Sequence, residues 1–253
     1  MKKGDAERSA SVTKKWRKVM AVGCSHGVLA DPAAIKAVLS FRDRFNPEIL
    51  VHLGDALDMS SFMSKCVSNG SGDPIEPDID GGMGFLKELR PTVLLHGNHE
   101  YRLDRELQSK NEIVSFAAAT ILSSMESSCN QMGCRIVPYT GNTQKYVVGN
   151  IRFMHGTFYN DPATRDHAEA FAPWKGTLVH AHTHRAGMAT GRREDSPVGF
   201  CVGTLTRRGA MEYANTKKST LSWSQAFVWG FVSNTSSQLF LCQKQAGEWV
   251  LPL

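Results

Sequence analysis

Separate apolar runs along this chain stop at the same kind of place, a glycine beside a side chain able to hold a metal ion. Lys18–Gly23 runs into Cys24-Ser25-His26-Gly27, Glu48–Gly54 into Asp55, and Thr92–Gly97 into Asn98-His99-Glu100. Ile151–Met154 runs into His155-Gly156, and Gly176–His180 into Ala181-His182-Thr183-His184. Short apolar runs of this length read as buried strands. Glycine at their ends lets the backbone turn sharply and approach closely. If those strands are neighbours, the polar side chains meet at one spot, because ligands of α/β folds gather at the carboxyl ends of strands.

Between these strands the chain carries helical signals. Asp31 is suited to cap a helix whose first turn holds Pro32 and whose apolar positions are Ile35, Val38, Leu39 and Phe45. Residues Ser60–Gly84 are rich in Gly, Ser, Asp and Pro and read as a long insertion or loop over the surface, part of which could be helical, followed by a short helical piece over Gly84–Arg90. One helical stretch is expected from Glu100 to about Met125, its inner face formed by Leu103, Leu107, Ile113, Phe116, Ala117 and Ile121. Strands follow at Arg135–Val137 and Lys145–Val148, the latter joined to Ile151–Met154 by a tight turn at Gly149-Asn150. A short helix is expected near 162–170, then strands at Val198–Val202, Gln225–Val232 and Gln238–Cys242. The order suggests an α/β (α+β) domain with a mixed sheet, or two packed sheets flanked by helices. The expected organisation is a flexible basic tail over residues 1–17 and a single domain over 18–253.

The residue types point to a pair of cations. A carboxylate can bridge two ions, and Asp55 suits that place. His26, Asn98, His155, His182 and His184 add neutral imidazoles and a carbonyl oxygen, which leave each ion enough charge to acidify a bound water. Each residue has a plainer reading. Asp55 alone could cap a helix, Asn98 could stabilise a turn, and His155 could be a core histidine. Asp58, Glu100 and Arg102 lie close in sequence; Glu100 could orient a ligand and Arg102 could grip phosphate. His52 and His96 read as buried residues behind the site, His180 as core or support, His167 as a surface residue, and Trp223 and Trp229 as packing.

Taken in order, these groups resemble the signature of the calcineurin-like metallophosphoesterases, D-x-H, G-D, G-N-H-E, H and G-H-x-H, over about Val19 to His184. The resemblance implies a two-sheet β-sandwich flanked by helices, with two divalent metals at its loop edge. It implies hydrolysis of a phosphodiester or phosphomonoester by a hydroxide held between the ions. By the same resemblance His26 and His184 fall on the first metal and Asn98, His155 and His182 on the second, with Asp55 bridging. His99 matches the family histidine that contacts phosphate and protonates the leaving group, with Asn98 and Arg102 beside it as substrate contacts.

The chain departs from the pattern at two places. Ala181 stands where glycine is usual, and Cys24 stands where aspartate is usual, as it does in RNA lariat debranching enzymes. A thiolate ligand favours softer metals, so zinc or iron is expected over magnesium or manganese, within a candidate set of zinc, iron or manganese for the two divalent ions. The run Gly97–Leu103 is similar to small phosphoesterases often carried by phages, which favours a nucleic-acid or nucleotide substrate. The alternative is a catalytically degenerate member acting as a binding module, for which Cys24 is the one supporting feature.

Composition adds limits. Across 253 residues, 42% are apolar and 21% charged, an ordinary globular balance. No run of about 18 apolar residues suggests a membrane span, so no membrane partner is expected. A net charge of +5 is too mild to mark a strong duplex-binding face. The six cysteines form no C-x-x-C pair, which fits a reducing, cytoplasmic setting.

Overall fold

A computed structural model of the chain describes residues 15–63, 66, 70, 72–214 and 218–252. The expected tail therefore lies outside the described residues up to position 14. Parts of the 60–84 and 207–223 segments lie outside them as well.

Two sheets carry the fold. The first contains β1 (Arg17–Val22), β2 (Ile49–His52), β3 (Val93–Leu95), β4 (Arg135–Val137), β10 (Ala226–Val232) and β11 (Ser237–Gln243), in the order β11-β10-β1-β2-β3-β4. The strands β1 to β4 run parallel, and β10 and β11 are antiparallel additions at one edge. The second contains β5 (Tyr146–Val148), β6 (Ile151–Phe153), β7 (Thr177–His180), β8 (Gly187–Thr190) and β9 (Val198–Cys201), in the order β5-β6-β7-β9-β8. Here β6, β7 and β9 are parallel.

The sheets pack face to face, as two layers that each present one apolar face must. Val19, Ala21, Val51 and Leu95 of the first meet Ile151, Phe153, Val179 and Phe200 of the second. Alternation sends Met20, Val22 and Leu50 to the opposite face, where Val38, Phe41 and Phe45 of helix α1 (Pro32–Phe45) cover them. Both faces of these strands are thus buried, which is why they read as unbroken apolar runs. Asp31 caps α1 by accepting from the Ala33 N–H at 2.9 Å, as its sequence suggests.

The structure departs from the sequence reading in three places. The helical piece placed at Gly84–Arg90 starts earlier, within the segment that could be partly helical: helix α2 spans Ile75–Leu89. Its glycines hide it from a propensity argument, yet two of the three serve packing. A methyl on Gly81 would press on the Gly27 and Val28 backbone at 2.9 Å, and one on Gly82 would run into Leu57 and the Ala56 carbonyl. The single helix from Glu100 is two, α3 (Glu100–Glu106) and α4 (Glu112–Met132), with Asn111 capping the second by accepting from the Ile113 N–H at 3.1 Å. That break resets the helical phase, so Leu107, Ile113 and Phe116 are exposed while Ala118, Ile121, Met125 and Cys129 face inward. Strand β8 was unexpected; as an edge strand with alternating partial exposure, it carries little apolar signal. Helix α5 (Ala163–Phe171) packs over the second sheet.

Among the described residues, no helix is long and apolar enough to cross a membrane. All six cysteines are buried free thiols.

Candidate metal centre

Because β1, β2 and β3 are parallel neighbours in one sheet and β6 and β7 in the other, their carboxyl ends open on one edge of the sandwich. The structure brings Cys24, His26, Asp55 and His184 together there, with their ligand atoms within 4.8 Å of one another. Asp55, His155 and His182 form a second such group, sharing Asp55 with the first. Asn98 joins this second group, its Oδ1 lying 2.9 Å from His155 Nε2 and 2.8 Å from His182 Nδ1. All seven residues expected as ligands on sequence grounds thus sit at one locus.

The local backbone is unusual. Among the described residues eleven non-glycine residues have positive φ, and five of them are Cys24, His26, Asp55, His182 and His184. Each left-handed residue costs on the order of 1 kcal/mol, so such a concentration marks a place where the surroundings dictate the conformation. The backbone at Gly97 is closely hemmed in: a methyl there would strike the Asp55 carboxylate and lie 2.7 Å from the His155 ring.

Glu100 builds the frame. Its buried carboxylate accepts from the N–H groups of Asp55 (2.9 Å), Ala56 (2.7 Å), Leu57 (3.1 Å) and Gly97 (2.7 Å). It thereby locks the loops after β2 and β3 to each other. Asp55 Oδ1 accepts from the His99 N–H at 3.0 Å, which leaves Oδ2 facing inward, 3.2 Å from His155 Nε2 and 3.8 Å from His26 Nε2.

The proton bookkeeping tests whether a cation fits. His155 Nδ1 donates to the Leu53 carbonyl at 2.8 Å, so its Nε2 faces the Asp55 oxygen at 3.2 Å; burial works against charge on this ring, but Asp55 raises its pKa above the ordinary value, so a proton or a cation belongs between the two. His26 Nδ1 donates to Asp58 Oδ1 at 3.0 Å, and its Nε2 confronts His184 Nε2 at 3.0 Å. Lone pairs meeting at these separations repel unless a proton or a cation lies among them. Burial, joined by the charge of neighbouring histidines, pushes His184 well below its ordinary value and His182 down to about 3, so both rings favour the neutral, ligating form. Burial opposes charge on Asp55, but His155, His99 and His26 hold it well below the usual carboxylate range. Burial and the Asp55 charge push the Cys24 thiol well above its ordinary range, 4.0 Å from Asp55 Oδ2. A cation between thiol and carboxylate reverses that repulsion. The donor set of one sulfur, imidazole nitrogens and carboxylate oxygen suits a borderline-soft divalent ion.

His99 stands beside this centre with Nε2 3.8 Å from Asp55 Oδ2. Its Nδ1 donates to the Asp58 carbonyl at 2.6 Å, and its Nε2 accepts from Arg102 Nη2 at 3.0 Å. Arg102 lies behind the ring, its other guanidinium nitrogen donating to the same Asp58 carbonyl at 2.6 Å. Asp58 supports both rings and also accepts from Tyr213 Oη at 2.7 Å. Asp78 in turn accepts from the Asp58 and Met59 N–H groups.

Sequence reading missed Tyr213, which lies far outside every motif and gives no local signal. It also placed His167 on the surface. The ring is buried against His180, with centroids 4.4 Å apart, and its Nε2 accepts from the Thr157 and Phe158 N–H groups. Its amphipathic helix hid this, because that helix faces the sheet and not solvent. Trp223 packs edge-on against His184, 4.3 Å between centroids, and so is part of the site as well as of the packing. A cavity of about 690 Å³ opens here, bounded by Asp55, Asn98, His99, His182 and His184 together with Met211, Tyr213 and Trp223.

A face-to-face pair of mixed sheets, with buried histidines, aspartate and cysteine converging at the loop edge, defines a metallophosphoesterase-type fold. A profile of the calcineurin-like phosphoesterases matches residues 17–198, and the chain belongs to that family. No curated protein matches it in sequence. Among solved structures it is similar to the phosphoesterase Yfce from E. coli, at 15% identity and TM-score 0.39, covering 88% of this chain and 96% of that one. It is also similar to the nuclease MPE of Pseudomonas putida, at 16% identity and TM-score 0.34 over 75% of each chain. A 5′-nucleotidase precursor from Thermus thermophilus aligns at 11% identity and TM-score 0.40, over 90% of this chain and 54% of that one.

Proposed function

We propose that this protein is a two-metal phosphoesterase that hydrolyses a phosphodiester or phosphomonoester, with a nucleic acid or nucleotide as the favoured substrate. In this reading Cys24, His26, Asp55 and His184 hold the first ion, and Asp55, Asn98, His155 and His182 hold the second, zinc, iron or manganese being the candidates. The observation that carries it is the convergence of possible ligand atoms from two groups of side chains on one shared residue, Asp55.

When bound, divalent ions supply Lewis acidity to the phosphoryl oxygens and lower the pKa of water. The chain's own residues do the rest. Asn98 and His99 lie in the cavity wall, where they would contact the phosphate. His99 is positioned to protonate the departing oxygen from Nε2 once that nitrogen carries a proton in place of the bond it accepts from Arg102, while its Nδ1–H stays bonded to the Asp58 carbonyl. Arg102 holds the unprotonated ring through its bond to Nε2, keeps its bond to the Asp58 carbonyl, and stands beside His99 as a candidate phosphate contact. The burial of the centre strengthens each of these interactions.

Metal analysis of the purified protein and an assay with bis-p-nitrophenyl phosphate test the proposal. Turnover with zinc, iron or manganese, lost on chelation and restored on return of the metal, is the expected result. Folded protein that binds none of these ions and hydrolyses no ester would favour the binding module.

A further inference from the structure

Residues beyond 198 lie outside the family match, yet Met211, Tyr213 and Trp223 form part of the wall of the central cavity. The guanidinium there, Arg185, is already committed to Asp161 at 2.6 Å and to the Tyr159 carbonyl at 2.8 Å. A ligand in this space meets the metal-binding cluster together with aromatic and thioether surface. That suits a phosphate carrying a flat, weakly polar ring.

A second cavity, of about 480 Å³, adjoins the first, and Thr220 and Trp223 line both. Its character is different, with Arg208, Lys244 and Ser224 in its wall. Arg208 is exposed and makes no hydrogen bond or ion pair with a described residue. Lys244 is loosely neutralised by Asp31 at 3.5 Å. Cationic donors at the edge of an aromatic wall suit a second phosphate. The net charge of +5 is far from the dense basic face that a duplex requires.

We propose that the substrate is a single-stranded oligonucleotide: the base beside the scissile phosphate stacks on Trp223 in the first cavity, and the neighbouring phosphate is held in the second by Arg208 and Lys244. This rests on the phosphoesterase reading above and narrows it from nucleotide esters in general to a strand. DNA and RNA share the chemistry, so the test uses both.

Metal-loaded protein is assayed on the p-nitrophenyl ester of thymidine 5′-monophosphate and on single-stranded hexamers of thymidylate and of uridylate. Anisotropy of the labelled hexamers is followed in parallel with metals chelated. The lower KM is expected for a hexamer, and the better of the two hexamers assigns DNA or RNA. Trp223→Ala should raise the hexamer KM by about fivefold or more, with Trp223→Phe recovering most of the loss. Arg208→Ala should raise the hexamer-to-ester KM ratio by about threefold or more and flatten the salt dependence of hexamer binding by a slope of about 0.7. Equal wild-type KM for hexamer and ester, or an Arg208→Ala protein with ratio and salt slope unaltered, overturns the inference. Protein that hydrolyses no ester at all removes the phosphoesterase reading instead, and the anisotropy data still decide whether a strand is bound.

Discussion

His99 and Cys24 are the two residues whose contributions separate most cleanly. His99 touches the cavity but belongs to neither shared metal group around Asp55. His99→Ala should therefore lower kcat by about 100-fold or more while leaving metal content nearly unchanged. Loss of metal in that variant, measured by elemental analysis, would reassign the ring to metal binding. Cys24 lies within the first group, its sulfur packed against the Asp55 carboxylate. Cys24→Asp should shift the preferred ion from zinc or iron toward manganese, read from activity after reconstitution with each metal. The same metal profile in both proteins would take the sulfur out of the coordination sphere. These residues were legible in the sequence because each follows an apolar run and a glycine. Tyr213 was not, since a tyrosine reaching Asp58 from 155 residues away leaves no pattern in the chain.

At the level of elements, the site depends on loops fastened to each other rather than on any one strand. The first residue of α3 does much of this, since Glu100 accepts four backbone N–H groups from the loops after β2 and β3. Glu100→Gln turns one accepting oxygen into a donor that faces donors. It should cost about 2–4 kcal/mol of stability and weaken metal retention, checked by denaturant unfolding and by metal content after dialysis. A stability equal to wild type would mean that the loops hold without it. The strand ends were readable from apolar runs, but helix α2 and the split between α3 and α4 were not. Close contacts at Gly81 and Gly82 decide the first, and a cap at Asn111 decides the second. Both are tertiary or turn effects that a periodicity argument does not contain.

For the molecule as a whole, buried neutral histidines set the response to acid. Burial holds both His52 and His167 down to about 4, against an ordinary value of 6.5. His52 accepts from the Gly54 N–H, and His167 accepts from the Thr157 and Phe158 N–H groups; neither can do so once protonated on the accepting nitrogen. Between about pH 6.5 and 4 the unfolded chain binds more protons than the folded one, so stability is complete above this window and falls as pH is lowered through it. Each ring accounts for on the order of 3 kcal/mol across the window. His167→Gln should flatten the pH dependence of unfolding free energy between pH 6.5 and 4; an unaltered slope would show that His167 does not set it.

The strand that leads to Cys24 and His26 has β2 on one side and β10 on the other. Its second neighbour is contributed by residues 226–232, some two hundred positions later in the chain. During synthesis, β1 therefore waits as an open edge until that late segment has left the ribosome. The residues matched by the family profile end at 198 and leave that edge unpaired. A truncation to the matched portion would keep all seven candidate ligands and still be prone to edge-to-edge aggregation.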